Sequence, residues 1–378
     1  MPPTILPPLL LLLLVQPLGA WRNVSVSNVA VRRGRDGAIV GAQDGNLLEL
    51  PAALAGGDAF ALVGMLYGDC AFAACANETD GACGFGAGRI TVWTSASLAD
   101  GSWSAGAEVL PAAQRPQGIY FRPHIVYNAR TRRFVLWVRW LAPTSGSLAA
   151  ENTTYLTASA EDIRGPYTIA QRNVSMFWPN SADDSLFVDE DGAAYIVHTA
   201  RSTGTAIVVE RLTEDYTECA GASDPAARSA LIGPGHSEAP AMWRLGARYY
   251  VSFAPLCCYC TEGAPTEVWA AVAPLGPYAP AGALGNAPRA QQNFAFASSR
   301  LQGVLWGGNR WGSDPLSPAA PIFDRSLQFW QTLQFTANGS ALPLQWSDGA
   351  TFAVNVAALA SPRGGVVDSE EASPQPRK

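Results

Sequence analysis

The chain has 378 residues, 48% of them hydrophobic and 15% charged, with 12 Trp, 11 Tyr and 14 Phe. That apolar content excludes a disordered chain and is enough for a sizeable core. A net charge of −6, with 25 dispersed Lys and Arg, leaves no basic stripe, so nucleic acid is not an expected partner. The 36 Gly and 28 Pro mark frequent turns, which suit short strands better than long helices.

In chain order, Leu6 to Leu14 is almost wholly apolar, and Leu18-Gly19-Ala20 offers a small-residue cleavage site before Trp21. Residues 1–20 therefore read as a signal peptide, although no Lys or Arg precedes the apolar run. The run is short for a membrane span, so no membrane partner is expected and the protein is placed in the secretory pathway or outside the cell. A signal anchor or a buried first strand is the rival reading. Asn23, Asn77, Asn152, Asn173 and Asn338 each open an Asn-x-Ser/Thr triplet, a surface glycan acceptor in an exported protein.

Seven Cys stand at 70, 75, 83, 219, 257, 258 and 260. Export favours local bridges among Cys70, Cys75 and Cys83 and within Cys257/Cys258/Cys260, with an odd thiol left over. Zinc is the rival, but there are only three His and no pair of CxxC knuckles, so no metal site is assigned.

Strand signals follow throughout. Phe60 to Leu66 and Arg89 to Thr94 read as strands, with a loop at Ser97–Gly101. Ile125-Val126-Tyr127 turns at Asn128–Thr131 into Phe134 to Trp140. The same hairpin returns as Ser185–Val188 to Ala193–His198 and as Ala241–Arg244 to Arg248–Phe253. Each is followed by a third segment, at Tyr155–Ala158, Ala206–Glu210 and Val268–Val272. Gly165-Pro166-Tyr167 echoes Gly276-Pro277-Tyr278 two units on. The repeat of about 55–60 residues suits four-stranded blades with generous loops. Five modules result, at 36–115, 117–175, 181–232, 236–288 and 290–350, and the fold class is all-β, a five-bladed β-propeller over 24–350. A β-sandwich is the rival. Residues 361–378 carry little that can pack and are expected to form a disordered tail.

Several motifs then line up at the blade openings: Arg122-Pro123-His124 with Val126-Tyr127-Asn128, Ser181-Ala182-Asp183-Asp184-Ser185-Leu186-Phe187, Ser237-Glu238-Ala239-Pro240-Ala241-Met242, Gln291, and Gly308-Asn309-Arg310-Trp311. In order and spacing the chain resembles glycoside hydrolase family 43, nearest its exo-β-1,3-galactanase-like members, over most of 36–350. The resemblance implies a five-bladed propeller with acids projecting into an axial pocket, and hydrolysis with inversion. It implies that Glu238 is the general acid, which must stay protonated to supply the leaving oxygen. It implies that Asp183 tunes that acid through like-charge repulsion. Taken alone, Glu238 reads as a turn glutamate, and Asp183 and Asp184 as turn residues before a strand.

Inversion also needs a base on the far face of the sugar. Asp44, in Gly41-Ala42-Gln43-Asp44-Gly45, stands where the wider family places it, although Asp44-Gly45 also reads as a hairpin turn. Galactanase-like members often carry Glu before the Arg-Pro pair, where this chain has Phe121, or rely on a Gln that matches Gln291. Arg122, His124, Gln291, Arg310 and Trp311 are the expected substrate contacts, against plain structural roles for each. Tyr120, Trp140, Trp178 and Trp269 are candidates for the rim. Ala182 and Asn309 depart from the pattern, which keeps open a catalytically silent carbohydrate-binding propeller. The expected activity is exo-hydrolysis of terminal sugars in plant-type or algal polysaccharides, with β-1,3-galactan preferred to arabinose or xylose linkages. No cofactor is required by a carboxylate pair. Calcium, held by some relatives near the central channel, has no supporting motif here.

Overall fold

Turn-rich, β-branched and aromatic segments give five radial sheets in a computed structural model that describes residues 21–54, 56–72, 84, 88–142, 153–257 and 260–356. The expected signal peptide and the expected tail lie outside the described residues. Blade 1 orders β2 (Leu47–Glu49), β3 (Phe60–Leu66), β4 (Arg89–Ser95) and β5 (Ala107–Glu108). Blade 2 orders β6 (Ile119–Asn128), β7 (Arg133–Leu141), β8 (Thr153–Ala160) and β9 (Thr168–Gln171). Blade 3 has β10 (Ser181–Val188), β11 (Ala194–Ala200) and β12 (Ala206–Arg211). Blade 4 has β13 (Ser237–Leu245), β14 (Arg248–Pro255), β15 (Thr266–Ala271) and β16 (Ala279–Gly285). Blade 5 has β17 (Gln291–Ala297), β18 (Val304–Arg310) and β19 (Leu327–Thr332). Neighbours within each blade are antiparallel, so the protein is an all-β, five-bladed propeller and not a sandwich.

The ring closes through a device the local patterns did not announce. β1 (Trp21–Ser27) pairs antiparallel with β20 (Gly349–Asn355), uniting the first and last described strands. Val24, Val26, Phe352 and Val354 of this ribbon share one core with Phe60 and Leu62 of blade 1 and with Phe294, Leu305 and Trp330 of blade 5. Burial of this apolar surface removes the open seam of a five-sheet ring.

The inner strands are longer than their hydrophobic runs. β6 begins six residues before Ile125 and includes Pro123, and β13 includes Pro240. Proline cannot donate to a ladder, yet both lie where the register slips, between Phe121 and His124 and between Glu238 and Ala241. β10 slips between Ser181 and Asp184, and β17 between Gln292 and Phe294. Such β-bulges kink a strand and re-aim its side chains. Asp183 and Asp184 are thus strand residues, not turn residues. Asp44-Gly45 is no hairpin turn either: it interrupts the pairing of Gln43 and Leu47 with β3. A Cβ on Gly45 would sit 1.9 Å from the Val63 carbonyl oxygen, so only glycine lets the two backbones meet there.

The Gly-Pro-Tyr echo is structural. Gly165-Pro166 and Gly276-Pro277 are both cis, and each following Tyr hydroxyl donates four residues back, to the Ile163 and Pro274 carbonyls. Cys257 and Cys260 form a disulfide, Cys70 is also disulfide-bonded, and Cys219 is a buried free thiol.

If the ribbon holds the ring shut, Phe352→Ala should cost about 3–5 kcal/mol, as a large buried aromatic usually does. Thr351→Ala, on its exposed face, should stay within about 0.5 kcal/mol. Denaturant midpoints of the two variants measure the difference.

Candidate active site

The start of every inner strand lies at one face of the disc, because each blade begins there. Five bulged or interrupted openings therefore converge on the axis. Asp44 comes from blade 1, Arg122 from blade 2, Asp183 and Asp184 from blade 3, Glu238 from blade 4 and Gln291 from blade 5. Asp44 (φ 59°), Arg122 (φ 48°) and Ala239 (φ 51°), next to Glu238, all have left-handed backbone. For side chains bearing a Cβ this costs about 1–2 kcal/mol each, a strain that the surrounding ladders must hold in place.

Arg122 is the hub, with 1% of its surface exposed. Its Nε donates to the Asp184 carbonyl (3.3 Å) and its Nη2 to the Gln292 carbonyl (3.1 Å). Its Nη1 stands 3.6 Å from Asp44 and 3.7 Å from Asp183, beyond hydrogen-bond length to either. Burial works against the guanidinium charge, but Asp183, Asp44, Asp184 and Glu238 outweigh it and hold the pKa above its usual value. Arg139 of β7 pairs with the other oxygen of Asp183 at 3.4 Å.

Asp44 is nearly buried, and burial pushes its pKa up to about 6. Arg122 opposes the rise, Asp183 adds to it, and the Tyr67 hydroxyl, which donates to Oδ2 at 2.8 Å, opposes it. Asp184 is fully buried, and neither carboxyl oxygen has a hydrogen-bond partner among the described residues. Burial first, with Asp183 and Asp44 after it, pushes its pKa well above the ordinary carboxylate value, against the pull of Arg122.

Glu238 Oε1 accepts the Cys257 backbone N–H (2.7 Å) and Gln291 Nε2 (3.0 Å). Gln291 is oriented in turn, because its Oε1 accepts the Trp311 indole N–H at 2.8 Å. Trp311 is 2% exposed and stacked on Phe323, so its described contact with the site runs through Gln291. His124 is buried, and burial and Arg122 hold its pKa well below the ordinary value. Its Nδ1 accepts the Leu186 N–H at 3.3 Å, which puts the proton of the neutral ring on Nε2. Arg310 is turned aside, donating to the Asn28 carbonyl (3.0 Å) with its guanidinium over Trp346. Asn309 bonds Asn293 instead of Arg310. Phe121 lies under the Arg139 guanidinium, and the Ala182 carbonyl accepts the Tyr155 hydroxyl.

Tyr67, Arg139, Asp184 and Gln292 are site residues that motif reading did not single out. Arg139 had a signal, a lone cation in the apolar run Phe134–Trp140. Gln292 had none. Its amide is saturated by Ser252, Trp306 and the Ala239 carbonyl, and it ties β17 to blade 4.

Among the described residues no group of three or more His, Cys, Asp and Glu is placed to hold a metal ion. Further along the axis an axial cavity of about 230 Å³ is lined by Asn46, Glu49, His124 and Ser185 among others. Glu49 is taken by Arg300, Ser298 and Ser299, and the Asn46 amide by Ile125. Calcium takes about 6–8 oxygens, and these residues do not supply that set.

The profile described as "Glycosyl hydrolases family 43" matches residues 76–291, more than half of the chain. The chain belongs to this family. Family 43 enzymes are inverting glycoside hydrolases. Solved structures with the same fold include a GH43 β-1,3-galactosidase, 19% identical, with a TM-score of 0.65, covering 87% of this chain and 63% of its own. The exo-β-1,3-galactanase of Phanerochaete chrysosporium, solved with galactose, is 18% identical, with a TM-score of 0.66 and shares of 89% and 69%. That of Clostridium thermocellum is 18% identical, with a TM-score of 0.66 and shares of 88% and 67%. The chain thus spans less than two thirds of the first of these proteins. No curated protein matches the sequence significantly.

Because Asp44 titrates above the 3.8 of a free aspartate, the fold is favoured below about pH 4 and loses that contribution as pH rises through about 6. Asp44→Asn should therefore stabilise the fold at pH 8 by up to about 3 kcal/mol, seen as a higher thermal midpoint. The gain should vanish near pH 4, and a pH series of melting curves on both proteins tests it.

Proposed function

We propose that the protein is an exported, exo-acting hydrolase that removes terminal galactose from β-1,3-linked galactan by single displacement. The observation that carries this reading is the axial cluster itself. It holds an acid candidate, Glu238, oriented by two N–H donors, and a second carboxylate, Asp44, brought to the same axis from blade 1. In this reading Glu238 gives its proton to the glycosidic oxygen as the bond to the anomeric carbon breaks. Asp44 takes a proton from the water that attacks the opposite face, and the sugar leaves inverted.

In this reading Asp183 is the modulator of the acid, the role its motif implies by resemblance to the family, and it is held by Arg122 and Arg139. Arg122 keeps Asp44 and Asp183 in place, its Nη1 lying 3.6 Å from one and 3.7 Å from the other. Such loose contacts are common before substrate enters. Neutral His124 does not compete as a cation. No metal enters any step.

Galactose is preferred because structures of the Phanerochaete exo-β-1,3-galactanase hold galactose and β-1,3-galactotriose. Export is supported by the disulfides and by Asn23, Asn173 and Asn338, all of which are exposed.

The purified protein should release galactose from β-1,3-galactotriose, with the α-anomer first in the NMR spectrum. Glu238→Gln should lower kcat by about a thousandfold or more, within the range of acid catalysis combined with positioning. Turnover of arabinan or xylan oligosaccharides alone would replace the substrate. Binding without any turnover would make the protein a lectin-like propeller.

The acid limb of kcat/KM should fall near pH 6, where Asp44 protonates. Tyr67→Phe removes a bond that favours the ionised carboxylate, so that limb should move to higher pH. An unmoved limb would take Asp44 out of the base role.

A further inference from the structure

The connection between β18 and β19, residues 311–326, leaves blade 5 and packs on the end of β3 in blade 1. Its two ends are tied together: the Ser326 hydroxyl accepts the Gly312 N–H (3.1 Å) and the Ser313 hydroxyl accepts the Leu327 N–H (3.2 Å). Buried Asp314 fixes its interior by accepting the Leu316 and Ile322 N–H groups. The contact with blade 1 is both polar and apolar. The Phe72 N–H donates to the Pro321 carbonyl (2.6 Å), and the Phe323 N–H to the Cys70 carbonyl (3.0 Å). The buried Phe323 ring stacks on Phe72 and Trp311 and meets Tyr67 edge-on.

This strap reaches Asp44 from two sides. β3 ends at Leu66, so the N–H groups of Tyr67 and Gly68 need acceptors outside its ladder. Both go to one carboxyl: Asp324 Oδ1 accepts Tyr67 (2.5 Å) and Oδ2 accepts Gly68 (3.0 Å). Tyr67 is the residue whose hydroxyl donates to Asp44. On the other side the Gln43 amide donates to the Ser326 carbonyl (2.9 Å), and a Cβ on Gly41 would stand 2.5 Å from the Asp324 carbonyl oxygen. Asp44 has a left-handed backbone, so its neighbours and not its own preference keep it in place. Burial pushes the Asp324 carboxyl up to about 7; the two N–H bonds and Arg89 oppose the rise and Asp69 adds to it. Once neutral, the acid still offers a carbonyl oxygen as acceptor.

We infer that Asp324 is a positioning residue for the base, holding the Tyr67 backbone so that the Tyr67 hydroxyl stays on Asp44. The inference rests on the reading of Asp44 as the base. Asp324 thereby sets the pH range in which Asp44 can take a proton from water, although it touches neither water nor sugar itself. The charged groups that face Asp44, namely Arg122, Asp183 and Arg139, are untouched by a change at Asp324. Blade 5 then has a hold on both carboxylates, because the same segment opens with Trp311, which orients Gln291 on Glu238.

The test follows kcat/KM on β-1,3-galactotriose against pH. Asp324→Ala removes both acceptors and should move the acid limb to higher pH by up to about one unit, the scale of one hydrogen bond to a carboxylate. Asp324→Asn keeps a carbonyl oxygen, as the neutral acid does, and should hold the limb within about 0.3 unit of the parent. Asp324→Ser, too short to span both N–H groups, replaces the alanine variant if that one does not fold, with the same upward shift expected. In a Tyr67→Phe background the change at Asp324 should move the limb no further. A second readout needs no turnover. Within each background, the stabilisation that Asp44→Asn confers in melting curves against pH reports the titration of Asp44. It should set in at higher pH with Asp324→Ala and not with Asp324→Asn. If the wild type does not hydrolyse the trisaccharide, the hydrolase reading fails while the melting series still decides whether Asp324 positions Asp44. A loss equal at every pH, with the limb unmoved, would make Asp324 a structural residue only. Equal shifts with Ala and Asn would assign the effect to the lost charge, and either result overturns the inference.

Discussion

A single buried cation organises the axial site. Arg122 donates to main-chain carbonyls of blades 3 and 5 and lies within ion-pair range of carboxylates from blades 1 and 3. A guanidinium this deep would be prohibitive without compensation, because desolvation of an ion costs several kcal/mol even after relaxation. The acids are the compensation, and they need the cation as much as it needs them. Removing Arg122 would leave several buried acids without their cation, so charge balance and the meeting of the blades at the axis are one constraint. Arg139 extends it outward by holding the far oxygen of Asp183.

The backbone bears the strain of that arrangement. A regular inner strand would send alternate side chains to the two faces of its blade and none along the axis towards the opening. Bulges and left-handed residues break that alternation where a functional side chain is needed, and the prolines that look out of place in a strand occupy the positions where a ladder N–H is already lost. The raised pKa of Asp44 and the unbonded carboxyl of Asp184 belong to the same pattern: groups kept in a state that costs stability. Functional sites are where such costs collect.

Much of the blade plan was legible because strand and turn signals are local. Phe60–Leu66 coincides with β3, and the hairpin turns at Asn128, Asp189–Gly192 and Gly246 follow from residues suited to tight turns. The first halves of β6, β10 and β13 were harder, since Arg122-Pro123-His124, Asp183-Asp184 and Glu238-Ala239-Pro240 are polar or proline-bearing and resemble loops. Their strand character comes from neighbours across the ladder, not from their own propensity. The ribbon of β1 and β20 was hidden for a similar reason, as its two halves are more than 300 residues apart.

The sequence by itself determined the repeat, the five modules and the order in which Asp44, Arg122, Asp183, Glu238 and Gln291 arrive, because these depend on spacing along one chain. Tertiary structure alone decided how those residues are used. It made Trp311 a clamp on Gln291 and turned Arg310 towards Asn28. It also brought Tyr67 onto Asp44 and Arg139 onto Asp183. Such pairings depend on where bulges aim side chains and on how blades pack around an axis. Distance along the chain does not encode either.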